Sequence, residues 1–137
     1  MKIATHGLTL ELTPVNSLDR EDWCRVRVLA EVPGFQANFD AYMQGADLRR
    51  FRDGMKNMYQ RPGEFGEAIL TSFEPGISIT PAMQNLGGIV GAYKLQGDFV
   101  EGGAPTLTGG FAMDQSYLPS LLDGVDQLLT ELKGHET

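Results

Sequence analysis

A chain of 137 residues, 42% of them hydrophobic and 21% charged, can bury one core without a disulfide or structural metal; the expectation is a single domain over residues 1–137. The lone cysteine, Cys24, excludes an internal disulfide framework. No stretch approaches the ~20 apolar residues that span a bilayer, and Met-Lys-Ile-Ala-Thr-His-Gly opens with no signal-like apolar run, so a soluble, cytoplasmic protein is expected, with no membrane partner.

Leu8, Leu10 and Leu12 alternate with Thr9, Glu11 and Thr13, the period of a half-buried strand. Trp23 to Val32 puts Cys24, Val26, Val28, Ala30 and Val32 on one face, with Arg25, Arg27 and Glu31 on the other. Pro33-Gly34 breaks the run. Alternation then resumes from Phe35 to Met43, which predicts a hairpin. At Asp47 the period lengthens: Leu48, Phe51, Met55, Met58 and Tyr59 recur at helical spacing, with Asp47 placed to cap the first turn. Gly54 weakens this helix by ~1 kcal/mol relative to alanine, and Pro62-Gly63 ends it.

Four strands are predicted next, over residues 65–73, 76–82, 88–99 and 105–113, punctuated by Pro75-Gly76, Gly87-Gly88 and Gly102-Gly103. Gly88, Gly91, Gly109 and Gly110 fall inside strand-like alternation, which marks bulges or close approach of another element rather than a phosphate loop. The last helix is the clearest element. Leu118, Leu121, Leu122, Val125, Leu128, Leu129 and Leu132 form an unbroken i, i+3, i+4, i+7 stripe, with Ser116 as N-cap and Pro119 in the first turn. No linker, low-complexity run or internal repeat interrupts the chain. The fold class is therefore α+β: an antiparallel sheet of six to seven strands with two amphipathic helices, in the order βββ-α-ββββ-α.

The net charge of −7 is unevenly spread. Residues 47–61 carry Arg49, Arg50, Arg52, Lys56 and Arg61 against Asp47 and Asp53, a local +3 that leaves −10 elsewhere. Between Lys94 and Lys133 there is no base, and six acids stand there: Asp98, Glu101, Asp114, Asp123, Asp126 and Glu131. Phosphate binding needs clustered positive charge, which only one helix supplies, so direct nucleic-acid binding is not expected; a basic protein partner fits better. Trp23, Arg25, Arg27 and Tyr42 share one face of the hairpin. Such a face suits single-stranded nucleic acid, packing under a helix, or partner binding.

Enzymatic chemistry finds little support. The two histidines, His6 and His135, sit near opposite termini, and Cys24 belongs to the apolar face of its strand, which makes it a buried structural residue rather than a nucleophile. Three Cys and His residues without paired spacing do not make a zinc site, and Asp123–Asp126 and Glu64–Glu67 follow no cation-loop pattern. No catalytic residue, metal or cofactor is expected.

From Trp23 to about Leu129 the chain resembles the WapI-like immunity proteins. The matching features are Trp23 opening a strand, Gly34-Phe35 opening the next, Asp47-Leu48-Arg49-Arg50-Phe51 starting the first helix, and Gly88-Ile89-Val90 in a later strand. The most specific is Phe111-Ala112-Met113-Asp114-Gln115-Ser116-Tyr117-Leu118, leading into the leucine-rich helix. The resemblance implies an intracellular, non-enzymatic antitoxin that binds and neutralises a toxin domain of a contact-dependent or secreted polymorphic toxin system, nucleases among them. The chain departs from the family pattern at Met83-Gln84-Asn85-Leu86 and at Glu101-Gly102-Gly103-Ala104, both at hairpin tips, where specificity resides. The charge distribution places the partner-binding residues at Asp98, Glu101, Asp123, Asp126 and Glu131, facing a basic toxin domain. The competing reading is a generic interaction or regulatory subunit.

Overall fold

The computed structural model describes residues 1–61, 66–72, 76–84 and 88–134. Strand β1 (Lys2–Ala4) precedes β2 (Thr9–Pro14), β3 (Trp23–Val32) and β4 (Phe35–Gln44). Helix α1 (Gly45–Gln60) follows, then β5 (Leu70–Thr71), β6 (Gly76–Met83), β7 (Gly88–Gln96), β8 (Thr106–Asp114) and helix α2 (Leu118–Leu132). The alternating pattern of the first hairpin is realised in register: Val32 pairs with Phe35, Val28 with Phe39, Cys24 with Met43. The two-residue connection Pro33-Gly34 turns because Gly34 takes φ +85°, a conformation costly for a side chain with Cβ.

The α+β class and the two helices agree with the sequence, but the single sheet of six to seven strands does not. Two antiparallel four-stranded sheets are present, ordered β1-β2-β3-β4 and β5-β6-β7-β8. The order gains β1 at its start, too short to show periodicity. Each sheet buries one face, so the two need cover, and they provide it for each other together with the helices. Val26, Val28 and Met43 of the first sheet join Ile77, Ile79, Tyr93, Leu95 and Phe111 of the second in one core. A backbone bridge outside the ladders links His6, beyond β1, to Ala112 of β8: His6 N–H donates to the Ala112 carbonyl at 3.0 Å, and Ala112 N–H to the His6 carbonyl at 2.9 Å.

Close approach explains the glycines of the second sheet. Gly91 lies directly across from Phe111, and Gly109 across from Tyr93. A Cβ at either would stand 2.3 Å from the facing aromatic side chain, so each glycine makes the bed for a ring. Gly54 of α1 plays a similar part, since a Cβ there would come within 2.9 Å of Ala68.

The loop between β2 and β3 holds one end of each helix. Leu18 N–H donates to the Leu132 carbonyl at the end of α2 (2.7 Å), and Gly45 N–H at the start of α1 donates to the Asp22 carbonyl (2.9 Å). The packed helices therefore run antiparallel. Asp22 takes φ +69°, and its Oδ2 accepts from Ala46 N–H and Arg49 Nη2, both at 2.8 Å, so a left-handed residue caps a helix from another loop. Asp47 also serves the first turn of α1, accepting from Gln44 N–H at 2.9 Å. On α2 the stripe is buried at Leu118, Leu121, Val125, Leu128, Leu129 and Leu132, while Leu122 is half-buried at its margin. Ser116 is not the cap expected. It sits in a 3-10 turn (Gln115–Tyr117) that Asp114 caps by accepting from Ser116 N–H at 2.8 Å. The Pro62-Gly63 stop, Glu64, Pro75, Asn85-Leu86-Gly87 and the tail with His135 lie outside the described residues.

Candidate protein-binding surface

The five acids proposed from sequence do not form one patch. Asp123, Asp126 and Glu131 are exposed on α2, whereas Asp98 and Glu101 are exposed in the β7–β8 connection. That connection is at the opposite end of β8 from α2, and a nine-residue strand is about 26 Å long. At about 100° per residue, Asp123 stands opposite the buried stripe, Asp126 turns toward α1, and Glu131 lies about 140° round from Asp126. Arg52 Nη1 of α1 reaches Asp126 Oδ1 at 3.4 Å, so one of these acids already faces an internal base.

The arginines of α1 are similarly engaged. Arg49 pairs with Asp22 (2.8 Å), Arg50 with Asp47 (3.7 Å), and Arg52 with Asp53 (3.6 Å) as well as Asp126. On the hairpin, Trp23, Arg25, Arg27 and Tyr42 do share one sheet face, with Arg25 across from Tyr42 and Arg27 across from Asp40. Leu29 and Tyr42 are exposed there, so neither described helix covers it. Both arginines meet Asp40, Arg25 at 3.6 Å and Arg27 in a closer contact, which offsets their charge toward a phosphate chain.

A groove of about 320 Å³ opens at the end of the molecule away from α2. It is lined by Phe35, Gln36, Ala37, Asn38 and Phe39 of β4 on one side and by Leu95, Gly97, Pro105, Thr106 and Leu107 on the other. Gly97 N–H donates to the Pro105 carbonyl at 2.9 Å and closes the second wall. Successive side chains of a strand point to opposite faces, so five consecutive lining residues mean that the groove runs along the edge of β4. Phe35, Ala37 and Phe39 continue the core face of the hairpin, but the core ends before they do. Ala41 and Met43 are buried, Ala37 and Phe39 half-buried, and Phe35 is 65% exposed. Phe99 and Val100, between Asp98 and Glu101 in the adjoining connection, are 75% and 55% exposed. Gly102 and Gly103 take φ +99° and +122° in the turn behind them. Sequence reasoning picked out the acids of this connection and passed over its apolar pair. An aromatic and a β-branched residue side by side in a turn, flanked by acids, was the available signal.

Cys24 is buried and donates to the Met43 carbonyl at 3.5 Å. Burial, followed by the charges of Asp22, Asp47 and Asp19, pushes its pKa up to about 11, so at neutral pH it is a thiol. Asp114 is held below the usual carboxylate range by hydrogen bonds from the Ser116 hydroxyl and then the Ser116 amide. His6 contributes its backbone to the bridge between the sheets. No described helix is long and apolar enough to cross a membrane. Among the described residues, no group of three or more His, Cys, Asp or Glu gathers as a metal site would.

The sequence model of the Immunity protein WapI-like family matches residues 2–133. Comparison with curated proteins and with solved structures gives no match.

Proposed function

The chain belongs to the WapI-like immunity protein family, and from that premise we propose that it is a cytoplasmic, non-enzymatic antitoxin that binds and neutralises a basic toxin domain, nucleases being one such class. The observation that carries this reading is the family match across residues 2–133, almost the whole chain. The acid run between Lys94 and Lys133 supports a basic partner, because complementary fields steer encounter. Two surfaces present that charge: Asp98 and Glu101 beside the groove, and Asp123, Asp126 and Glu131 on α2. A thiol-form, buried Cys24 and the pairing of both hairpin arginines with Asp40 favour stoichiometric binding over catalysis or nucleic-acid contact.

A gene for a large protein with a C-terminal toxin domain is expected beside this one, and its absence would refute the reading. The test with that domain is survival of cells co-expressing it with this chain, paired with association rates at two ionic strengths. Wild type protects, and added salt slows association more than it speeds dissociation. Reversing Asp98 and Glu101 to lysine, or Asp123, Asp126 and Glu131 to lysine, lowers the association rate at low salt for whichever surface is used. The Arg52–Asp126 pair lost in the second set is half-exposed and worth at most ~1 kcal/mol, so the fold survives. Absence of binding and of protection by wild type refutes the antitoxin reading. Unchanged rates in both sets refute the electrostatic part alone.

A further inference from the structure

We infer that the open edge of β4 is where the partner docks: an extended, basic segment of the toxin domain pairs with β4 as a fifth strand of the first sheet and lays an apolar side chain in the groove. The inference rests on the toxin-binding reading and names the surface it uses.

Among the described residues, β4 is hydrogen-bonded to β3 alone, and β6 of the second sheet approaches it without pairing. Val15 N–H donates to the Arg25 carbonyl, so the odd residues of β3 bond toward β2 and the even ones toward β4. Through the register, Phe35, Ala37 and Phe39 bond to β3, and Gln36 and Asn38 direct their N–H and C=O groups outward into the groove. Edge strands are ordinarily protected by lysine, proline, a bulge or extreme shortness. Phe35–Gln44 is ten residues long, contains neither lysine nor proline, and pairs with β3 without a bulge. Such an edge is a template for strand addition, in which main-chain bonds give affinity and side-chain pockets give specificity.

The flanks identify the occupant. Phe35, Ala37, Phe39, Leu95 and Leu107 make the groove apolar, and the connection between its lining residues Gly97 and Pro105 carries the exposed Phe99 and Val100. Acids accompany it: Asp98 and Glu101 are exposed in the connection that follows the lining residue Gly97, and Glu31 accepts from Nε2 of the lining residue Gln36 at 3.4 Å. Among the described residues, none that lines the groove is charged. An extended segment with an aliphatic or aromatic residue between lysines or arginines matches all three features. A second copy of this chain does not, because it would bring the same acids together.

The experiment is residue-resolved amide exchange on the full chain, alone and with the adjacent-gene toxin domain, together with binding by Asn38→Pro and Phe99→Ser. In the free chain the Gln36 and Asn38 amides exchange quickly and Ala37 slowly. Complex formation slows both outward amides by about 100-fold or more. Asn38→Pro removes an outward donor at a position where an edge strand tolerates proline, so it weakens binding by about 10-fold while leaving the thermal midpoint near wild type. Phe99→Ser weakens binding with no structural cost. Binding by wild type without added protection at Gln36 and Asn38 overturns the inference, whatever the variants do, and leaves the antitoxin reading standing. A free chain that is dimeric, with both amides already protected, overturns it in favour of a second copy. Failure of wild type to bind the toxin domain overturns both.

Discussion

Replacing Gly54 with alanine sets helix propensity against packing. Gly54 lies in the interior of α1, where alanine is favoured over glycine by about 1 kcal/mol, so propensity alone predicts a more stable protein. The structure reverses the sign. A Cβ at Gly54 would lie 2.9 Å from both the Cα and the Cβ of Ala68 and 3.1 Å from the Glu67 carbonyl oxygen. Two of those three atoms are backbone, and the segment they belong to is held to β6 through the Ala68 N–H to Pro81 carbonyl bond of 3.1 Å. It cannot yield as a flexible side chain would. Overpacking of this kind costs about 1–3 kcal/mol, so the net loss after the propensity gain is about 1 kcal/mol. With an unfolding entropy near 2.1 cal/mol/K per residue, that lowers the melting midpoint by roughly 3–4 °C. Calorimetry and urea unfolding of wild type, Gly54→Ala, Ala68→Gly and the double variant measure it. The cycle should show favourable coupling in the double variant, which removes one of the three close contacts. A rise in stability of about 1 kcal/mol for Gly54→Ala would refute the placement of α1 against residues 67–68.

Leu128→Ala, at a fully buried site, should cost about 2–5 kcal/mol in urea unfolding; Leu122→Ala, at the margin of the stripe, should cost less than half as much. Equal losses would mean the stripe is rotated about the α2 axis. Cys24 should label slowly with thiol reagents in the native state at neutral pH. Its raised pKa means that the folded state holds the proton more tightly than the unfolded chain. The associated stability is therefore fully present below about pH 9 and lost as pH rises toward about 11. Cys24→Ala should flatten that part of the stability profile, and an unchanged slope would assign it to other groups. Ser116→Ala should raise the Asp114 pKa toward the ordinary carboxylate range in an NMR titration, since the Ser116 hydroxyl is the first cause of its depression.

What was legible in the sequence follows from what alternation and periodicity encode. They specify which face of an element is buried, so the β3–β4 hairpin, the buried Cys24 and the α2 stripe could be read directly. They do not specify what covers that face. One wide sheet under two helices and two sheets facing each other demand the same alternation, and the choice lies in packing between distant segments. β1 contributes a single buried side chain, Ile3, and the His6–Ala112 bridge is made by backbone alone, so neither leaves a side-chain signature. Charge along the chain joined Asp98 and Glu101 to the acids of α2 because nothing basic separates them. The length of β8 separates them in space. Phe35 was assigned correctly to the core face of its strand, yet its exposure depends on where the second sheet stops, which no local pattern records.

The bridge between His6 and Ala112 has a kinetic consequence. Every strand-to-strand ladder in both sheets joins elements consecutive in the chain, so each meander can form from local hairpins at small loop-closure cost. The bridge instead closes a span of 106 residues, from position 6 to position 112. It has to wait until both meanders exist and dock. Until then β1 and β8, the strands that flank it, stand open on two partly folded sheets, the state in which such a chain is most exposed to aggregation. Synthesis proceeds from the N-terminus, so the first meander emerges long before its closing partner.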